Sequence, residues 1–350
     1  MKRILAAMSG GVDSAVTALL VKQAGYDCGG VTMLTAADGA GEADVRDAEA
    51  VAGKLHIPFA VCDESARFYE KVVLPFVMAY EQGKTPNPCI RCNCFLKFGA
   101  LLEYAGKEGY DGIATGHYAR IEEKNGRFCL KKAADESKDQ SYVLYQLTQA
   151  QLSKTLFPLG EMTKAEVREI AERNGFVNAH KKDSQDICFV PDGDYAGFIC
   201  RATGKEYREG EFVTADGRVL GTHKGLIRYT VGQRKGLGLA LPEPYFVKQK
   251  DVLRNRVVLC PAAELRTDRL VAEHFNWVSA APQEVGTQLS VTVRARYRQK
   301  EVPAVLTVLS GGSVELRFET PSVVAAPGQA AVCYDGDYVV GGGEIGESEE

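Results

Sequence analysis

An apolar strand, Arg3 to Met8, runs without a break into Ser9-Gly10-Gly11-Val12-Asp13-Ser14. A helix is expected at once over Asp13 to Ala24, with Val16, Leu19 and Leu20 on one face. Two glycines let a backbone approach an anion closely. The N–H groups at a helix start point at such an anion, and the helix dipole favours negative charge there. Ser9 and Ser14 add hydroxyl donors. No Lys-Ser or Lys-Thr pair follows the glycines, so this is not a Walker A loop. Asp13 would repel phosphate oxygens unless a cation lay between, which leads to an expectation of Mg²⁺. The alternative is a plain Gly-Gly turn with Asp13 as helix N-cap. The order strand, loop, helix favours the phosphate site.

The segments that follow repeat the alternation. Strands are expected at Gly29 to Leu34, Pro58 to Cys62 and Gly112 to Thr115. Helices are expected at Asp44 to His56, Ala66 to Gln82, Phe95 to Lys107 and Lys164 to Asn174. Ala36 to Ala43 and Lys131 to Lys138 read as loops, and Gly83 to Asn93 as a break rich in Pro, Asn and Cys. This pattern implies an α/β fold with a doubly wound, mostly parallel sheet, whose ligands sit at the carboxyl ends of the strands. After about Ile199 the helices give way to short Gly-bounded runs, among them Leu226 to Val231. From Phe275 alternating strands dominate: Leu289 to Tyr297, Ala304 to Leu309, Ser313 to Phe318 and Ala330 to Tyr334. Three units are therefore expected: a catalytic domain over 1–199, a small central domain over 200–273, and a β-barrel over 274–350.

At 350 residues, with 45% apolar and 25% charged side chains, the chain has ample material for such cores. No run approaches the ~20 apolar residues of a membrane span. The first residues are too short and too interrupted for a signal peptide, so the protein is expected in the cytoplasm with no membrane partner. A net charge of −4 neither advertises nor excludes a nucleic-acid partner.

Ten cysteines in a chain without an export signal point to burial, catalysis or metal rather than disulfides. Three of them crowd into Thr85-Pro86-Asn87-Pro88-Cys89-Ile90-Arg91-Cys92-Asn93-Cys94, read as a proline-stiffened loop before a helix. A thiol near that helix start, with Arg91 beside it, is expected to have a lowered pKa; the same three sulfurs could instead bind metal. Far downstream, Lys181-Lys182-Asp183-Ser184-Gln185-Asp186-Ile187-Cys188-Phe189 offers another cysteine. Cys28, Cys62, Cys129, Cys200, Cys260 and Cys333 lie in strand-like or apolar contexts and read as small buried hydrophobes. Arg294, Arg296, Arg298 and Lys300 alternate, as on one basic face of a strand, suited either to phosphates or simply to solvent.

The loop SGGVDS resembles that of the N-type ATP pyrophosphatases, whose fold is adenine nucleotide alpha hydrolase-like. With TPNPCIRCN, GHYAR, KDQSY, KKDSQDICF, YTVGQRKGLG, RARYRQ and PGQ in order, the chain from Lys2 to about Ile345 closely resembles the bacterial tRNA-specific 2-thiouridylases. That resemblance implies adenylation of the C2 oxygen of a wobble uridine, then sulfur delivery from a cysteine persulfide. Cys188 would hold the persulfide and Cys92 would be the first catalytic cysteine, with Asp13 at the nucleotide. ATP would be held by Ala7, Met8, Ser9, Gly10, Gly11, Val12, Asp13, Ser14, Met33 and Gly116. Asn87, Pro88 and Cys89 would meet the target base, and His117, Lys138, Asp139, Gln140, Arg296, Tyr297 and Gln329 the rest of the tRNA.

The implied substrates are tRNAs for Lys, Glu and Gln, with a cysteine desulfurase or sulfur-relay protein as donor. Many members carry Asp where this chain has Cys89. The resulting CxxCxC admits a second mechanism, in which Cys89, Cys92 and Cys188 hold an iron–sulfur cluster that carries the sulfide. Structural zinc ranks below both, because no second CxxC or His pair completes a site. Two other functions compete: another pyrophosphatase-type ligase or amidotransferase, which leaves Cys92 and Cys188 idle, and a metal-clipped RNA-binding module, which leaves the phosphate loop unexplained.

Overall fold

The computed structural model describes residues 1–35, 41–181 and 187–346. Its first half holds a parallel five-stranded sheet in the order β3-β2-β1-β4-β7. The strands are β1 (Arg3–Ala7), β2 (Asp27–Leu34), β3 (Phe59–Asp63), β4 (Gly112–Ala114) and β7 (Thr155–Leu156). Alternation along β1 feeds two cores. Ile4 and Ala6 face α1 (Val12–Gln23), α2 (Glu42–Leu55) and α8 (Lys164–Arg173) through Val16, Val51 and Val167. Leu5 faces the opposite side with Val31, Ile113, Phe98 and Leu101. With β2 on one side of β1 and β4 on the other, the chain reverses its direction of travel across the sheet at β1. A crevice therefore opens at the carboxyl ends of these two strands, where α/β sheets bind ligands.

Two helices depart from regular α geometry. The helix over 65–81 passes from α3 (Ser65–Phe68) through a π segment, Tyr69–Val73, into α4 (Leu74–Glu81). Pro75 has no N–H to give to the carbonyl of Lys71 one turn back. That carbonyl accepts instead from Arg91 Nε at 2.8 Å. The second helix runs over 88–107: α5 (Pro88–Arg91), a nine-residue π segment Cys92–Ala100, and α6 (Leu101–Lys107). The sequence reading placed Cys89 and Cys92 in a loop before this helix. The structure corrects it: Asn87 is the N-cap, accepting from Cys89 N at 3.1 Å, and Pro88 occupies the first turn, where its missing N–H costs nothing.

Next come the hairpin β5 (Arg120–Lys124) and β6 (Arg127–Lys131), then α7 (Gln149–Leu152). After α9 (Tyr195–Thr203) a four-stranded sheet forms in the order β10-β11-β8-β9. Its strands are β8 (Gly210–Val213), β9 (Val219–His223), β10 (Tyr245–Asp251) and β11 (Arg256–Pro261), over a core of Phe212, Val247, Val257 and Leu259. In the short run Leu226 to Val231, Leu226–Arg228 is a 3₁₀ turn, and Tyr229 and Val231 fill this core.

The remaining strands are β12 (Arg266–Trp277), β13 (Gln288–Arg294), β14 (Val302–Val308), β15 (Val314–Val323), β16 (Ala330–Asp335) and β17 (Tyr338–Ile345). β12 pairs with both β15 and β17, which closes a six-stranded barrel. β6 joins its outside edge through Tyr338 opposite Lys131. Among the described residues no helix is long and apolar enough to cross a membrane. Parts of two sequence expectations, the Ala36 to Ala43 loop and residues 182–186 of the KKDSQDICF run, lie outside the described residues.

Candidate active site

The phosphate loop is knotted by Ser14. Its Oγ accepts from Ser9 N at 3.1 Å and donates to the Gly11 carbonyl at 2.9 Å. Gly10 adopts φ +70°, which an L side chain rarely tolerates. Gly11, not Asp13, is the N-cap of α1, and no side chain caps that end, so the first N–H groups are presented to the crevice. The N-cap alternative for Asp13 therefore falls. Its carboxylate accepts from Lys164 Nζ at 2.7 and 2.8 Å and from Tyr118 Oη at 2.9 Å. Lys164 is the first residue of α8, set there by a capping box between Thr163 and Glu166. The positive charge that the sequence argument assigned to Mg²⁺ is thus supplied to Asp13 by the protein itself. Asp13 as a metal ligand would have to leave Lys164.

Three further contacts brace this loop. Asn178 Nδ2 and Lys181 Nζ both donate to the Gly10 carbonyl, at 3.0 and 3.3 Å. Lys181 Nζ also pairs with Asp44 at 2.7 Å and Asp47 at 2.6 Å, which ties it to α2. Gly116, after β4, packs on the loop: a Cβ there would stand 3.0 Å from the Asp13 carbonyl carbon. Met33, at the end of β2, belongs to a small apolar cluster with Leu96, Val72 and Cys92.

That cluster is reached by both thiol-bearing segments, through Cys92 itself and through Phe189, the residue after Cys188. The Phe189 ring lies 5.7 Å from Phe68, 5.2 Å from Phe76 and 5.2 Å from Phe198. An aromatic box thus anchors the residue next to Cys188 beside Cys92. All the described cysteines are free. Cys188 reaches solvent, yet the protein around its sulfur pushes the thiol up to about 11, with further upward pressure from Cys92 and Cys89. Lys97 opposes that shift.

At Cys92 burial again pushes the thiol up, against the pull of Lys97. The expected lowered pKa is overturned for a structural reason. Cys92 sits in the buried second turn, not at the exposed start. Arg91 is turned away, with Nε on the Lys71 carbonyl and its guanidinium over the Phe95 ring at 4.9 Å. Cys89 is exposed in the first turn. Among the described residues no three or more His, Cys, Asp or Glu side chains are grouped to hold a metal ion. In this arrangement Cys89, Cys92 and Cys188 do not constitute a cluster-ligand set.

The residues expected to touch tRNA divide. His117 is buried between Phe98 and Phe157 and donates or accepts with Thr115 Oγ1 at 2.7 Å. Burial holds its imidazole neutral, well below the usual histidine range, with Lys97 adding to the effect. Gln140 brackets Tyr118 through its backbone and side chain, both at 2.9 Å. Asp139 does not face solvent: its side chain is 2% exposed, accepting from Arg294 Nη1 at 2.9 Å, Ser141 Oγ at 2.8 Å and two backbone N–H groups. Arg294 also pairs with Glu301 at 3.0 Å.

The expected basic face on this strand is therefore not formed. β13 ends at Arg294, which is spent on carboxylates, and Arg296 donates to the Val324 carbonyl at 2.7 Å. Tyr297 stays exposed, its hydroxyl 3.3 Å from the Asp139 carbonyl. Gln329 donates to the Thr85 carbonyl at 2.5 Å, which places it beside the segment that leads into Asn87, Pro88 and Cys89. Lys138 lies in the turn after Asp135, to whose carbonyl its N–H donates at 3.0 Å. Lys97, Lys164, Asn178 and Phe189 were not singled out from sequence; only Lys164 carried a signal, as the first helical residue inside the Thr163-x-x-Glu166 capping pair.

Three family models match the chain in order. The first is described as a tRNA methyl transferase HUP domain, over residues 2–192. A tRNA methyl transferase PRC-barrel domain covers 196–261, and an aminomethyltransferase beta-barrel domain covers 267–345. A tRNA-specific 2-thiouridylase MnmA of Syntrophotalea carbinolica is 49% identical over 349 residues, 98% of each chain. The MnmA of Clostridium acetobutylicum is 44% identical over 354 residues, 98% of this chain and 99% of that one. A U34-tRNA thiolase from Methanococcus maripaludis, solved with its 4Fe-4S cluster, shares 16% identity and a TM-score of 0.36 over 58% of this chain and 64% of that one. With such identity maintained along nearly its full length, the chain belongs to the MnmA family of tRNA-specific 2-thiouridylases.

Proposed function

We propose that this protein uses ATP to exchange the C2 oxygen of the wobble uridine of tRNA for sulfur. The observation that supports the reading is that Met33, at the end of β2, and Cys92 and Phe189, from the two thiol-bearing segments, pack on one apolar cluster. ATP enters as its Mg²⁺ complex, its phosphates on the N–H groups of Ser9 to Ser14 and its adenine against Met33. Attack by the uridine C2 oxygen on the α-phosphorus releases pyrophosphate and makes AMP the leaving group, where free oxide could not leave. The base would lie against Asn87, Pro88 and Cys89.

Cys188 then supplies sulfur as a persulfide, loaded by a cysteine desulfurase or a relay protein. Its terminal sulfur attacks C2; the C2–S bond forms, the C2–O bond breaks, and AMP leaves with the electron pair. The Cys92 thiolate next attacks Cys188 Sγ. A Cys92–Cys188 disulfide forms, the bond to the transferred sulfur breaks, and the 2-thiouridine anion leaves. A reductant reopens the disulfide. The setting is the cytoplasm, with tRNAs for Lys, Glu and Gln as substrates.

Incubation with ATP, Mg²⁺, a persulfide donor and unmodified tRNA tests the reading. Thiolated tRNA with one AMP per sulfur is expected, and Cys188→Ser or Cys92→Ser abolishes it. Normal turnover by Cys188→Ser would overturn the persulfide assignment. Iron and sulfide analysis after anaerobic purification separates this route from a cluster-borne sulfide: a colourless, fully active enzyme supports the persulfide.

A further inference from the structure

Lys97 lies near the phosphate loop's neighbour His117 and acts electrostatically on both thiols, yet has no part in the chemistry above. Cys92 and Lys97 lie five residues apart in the π segment Cys92–Ala100. In an α-helix a residue five positions on is turned about 140° away. The i→i+5 bonding of a π turn brings that residue back over the first. The irregular helix therefore puts the Lys97 side chain on the Cys92 side.

Its position is fixed from the other direction as well. Lys97 Nζ lies 3.4 Å from His117 Nε2. An ammonium only donates, so Nε2 accepts and Nδ1 carries the proton, directed at Thr115 Oγ1 2.7 Å away. His117 is wedged between Phe98 and Phe157, with centroids at 5.6 and 5.9 Å. Gly116, between Thr115 and His117, rests on Asp13 and Ser14. A continuous line of contacts thus runs from the phosphate loop through Gly116 and His117 to Lys97. The field of Lys97 reaches both Cys92 and Cys188, where it favours the anionic sulfur, while at Cys94 the cation felt is Arg91.

We propose that Lys97 is the charge-stabilising residue of sulfur transfer, its ammonium held by neutral His117 and Thr115 so that the anionic sulfurs of Cys188 and Cys92 are received beside the activated base. Its place in the reaction rests on the thiolation reading, in which the attacking atom of both sulfur steps is an anion. The field itself is a property of the free protein and is tested there. His117 and Thr115 are positioning residues that act through Lys97.

The test is charge-selective alkylation of the full chain at one pH, with each cysteine quantified by peptide mass spectrometry. The same thiolate attacks anionic iodoacetate and neutral iodoacetamide, displacing iodide from each, so the ratio of the two rates cancels thiolate fraction and largely cancels access. What remains is the local field. Lys97→Gln removes the charge but retains a donor for His117. It is expected to lower the iodoacetate-to-iodoacetamide ratio at Cys92 and Cys188 by at least about tenfold, the effect of a unit charge about 12 Å away at an effective dielectric of about 20. Lys97→Arg restores the ratio, and Cys94 serves as the internal reference that stays unchanged.

An unchanged ratio at both thiols in Lys97→Gln overturns the proposal. So does an equal fall at Cys94, which would report a general rearrangement. Lys97→Met is the second variant should Gln fail to melt cooperatively. Failure of the wild-type protein to thiolate tRNA would sink the functional reading and leave the alkylation result standing.

Discussion

Lys164 Nζ bonds both carboxylate oxygens of Asp13, at 2.7 and 2.8 Å, and so joins the first turn of α8 to the first turn of α1. In the proposed site, Lys164→Met leaves the Asp13 carboxylate without its cation, with Tyr118 as its remaining side-chain donor among the described residues. tRNA-dependent AMP release is expected to fall by about 10²–10³-fold, the usual loss of a positioned charge at a reacting phosphate or oxyanion. Lys164→Arg retains more. Adding Asp13→Asn to Lys164→Met recovers part of the loss, since the unpaired carboxylate is the cause. A strictly additive double mutant would disprove this pairing as the origin.

Arg294 bridges Asp139 of the 132–141 segment to Glu301 of the barrel, with 17% of its own side chain exposed. Arg294→Ala takes the cation from the almost fully buried Asp139, which keeps only neutral donors from Ala133 and Ser141, while Glu301 retains Lys132 and Thr292. Urea unfolding is expected to show a loss of about 3–5 kcal/mol, as for other broken buried pairs. The Asp139→Asn, Arg294→Met double variant costs less than the sum of its parts.

Phe189 places Cys188, so its truncation separates the ring's effect from that of the thiol. Three aromatic contacts at about 0.5–1.5 kcal/mol each put the local cost of Phe189→Ala near 2–3 kcal/mol. Under a fixed oxidant, Cys92–Cys188 disulfide formation followed by mass spectrometry slows several-fold in this variant. A rate equal to the wild type would show that the aromatic box does not hold Cys188 in place.

Burial pushes the Lys250 ammonium down to about 8; Nζ donates to the Tyr229 carbonyl at 2.9 Å, with the Tyr80 ring 5.7 Å away. Between that value and the ordinary lysine range the unfolded chain binds the extra proton, so stability from this residue rises with pH there. Lys250→Met is expected to melt higher than the wild type at neutral pH. The gap should narrow as pH climbs through 8 and level off above about 10.4. A gap constant from pH 7 to 10 would refute the assignment.

The phosphate loop was legible because everything that shapes it is local: strand, glycines and helix start lie within a dozen residues. The pairing of Cys92 with Cys188 came only through resemblance, since the approach of their segments depends on Phe189 finding Phe68, Phe76 and Phe198, none adjacent in sequence. The pKa expectation for Cys92 failed chiefly because the thiol is buried, and also because Arg91 turns to the Lys71 carbonyl, a coupling between two helices that no single window contains. The β5–β6 hairpin carried its own signal, Asn125-Gly126 with both residues at positive φ, which fits a two-residue turn. β17 hid its identity in Gly341-Gly342-Gly343, a run that reads as a loop but packs against Tyr145 and β12. The arginine row misled because alternation shows which residues share a face and says nothing of the carboxylates opposite.

The outer edge of the barrel has a consequence for how the chain is made. β6 is synthesised early, yet its barrel-side partner is β17, through Tyr338 and Lys131. On the ribosome the nucleotide-binding sheet can assemble first, but the 120–131 ribbon must wait with one edge open until residues 338–345 emerge. Nascent chains paused before that point would carry a finished ATP crevice and an unsatisfied strand, which makes this ribbon the place where a holding chaperone would be needed.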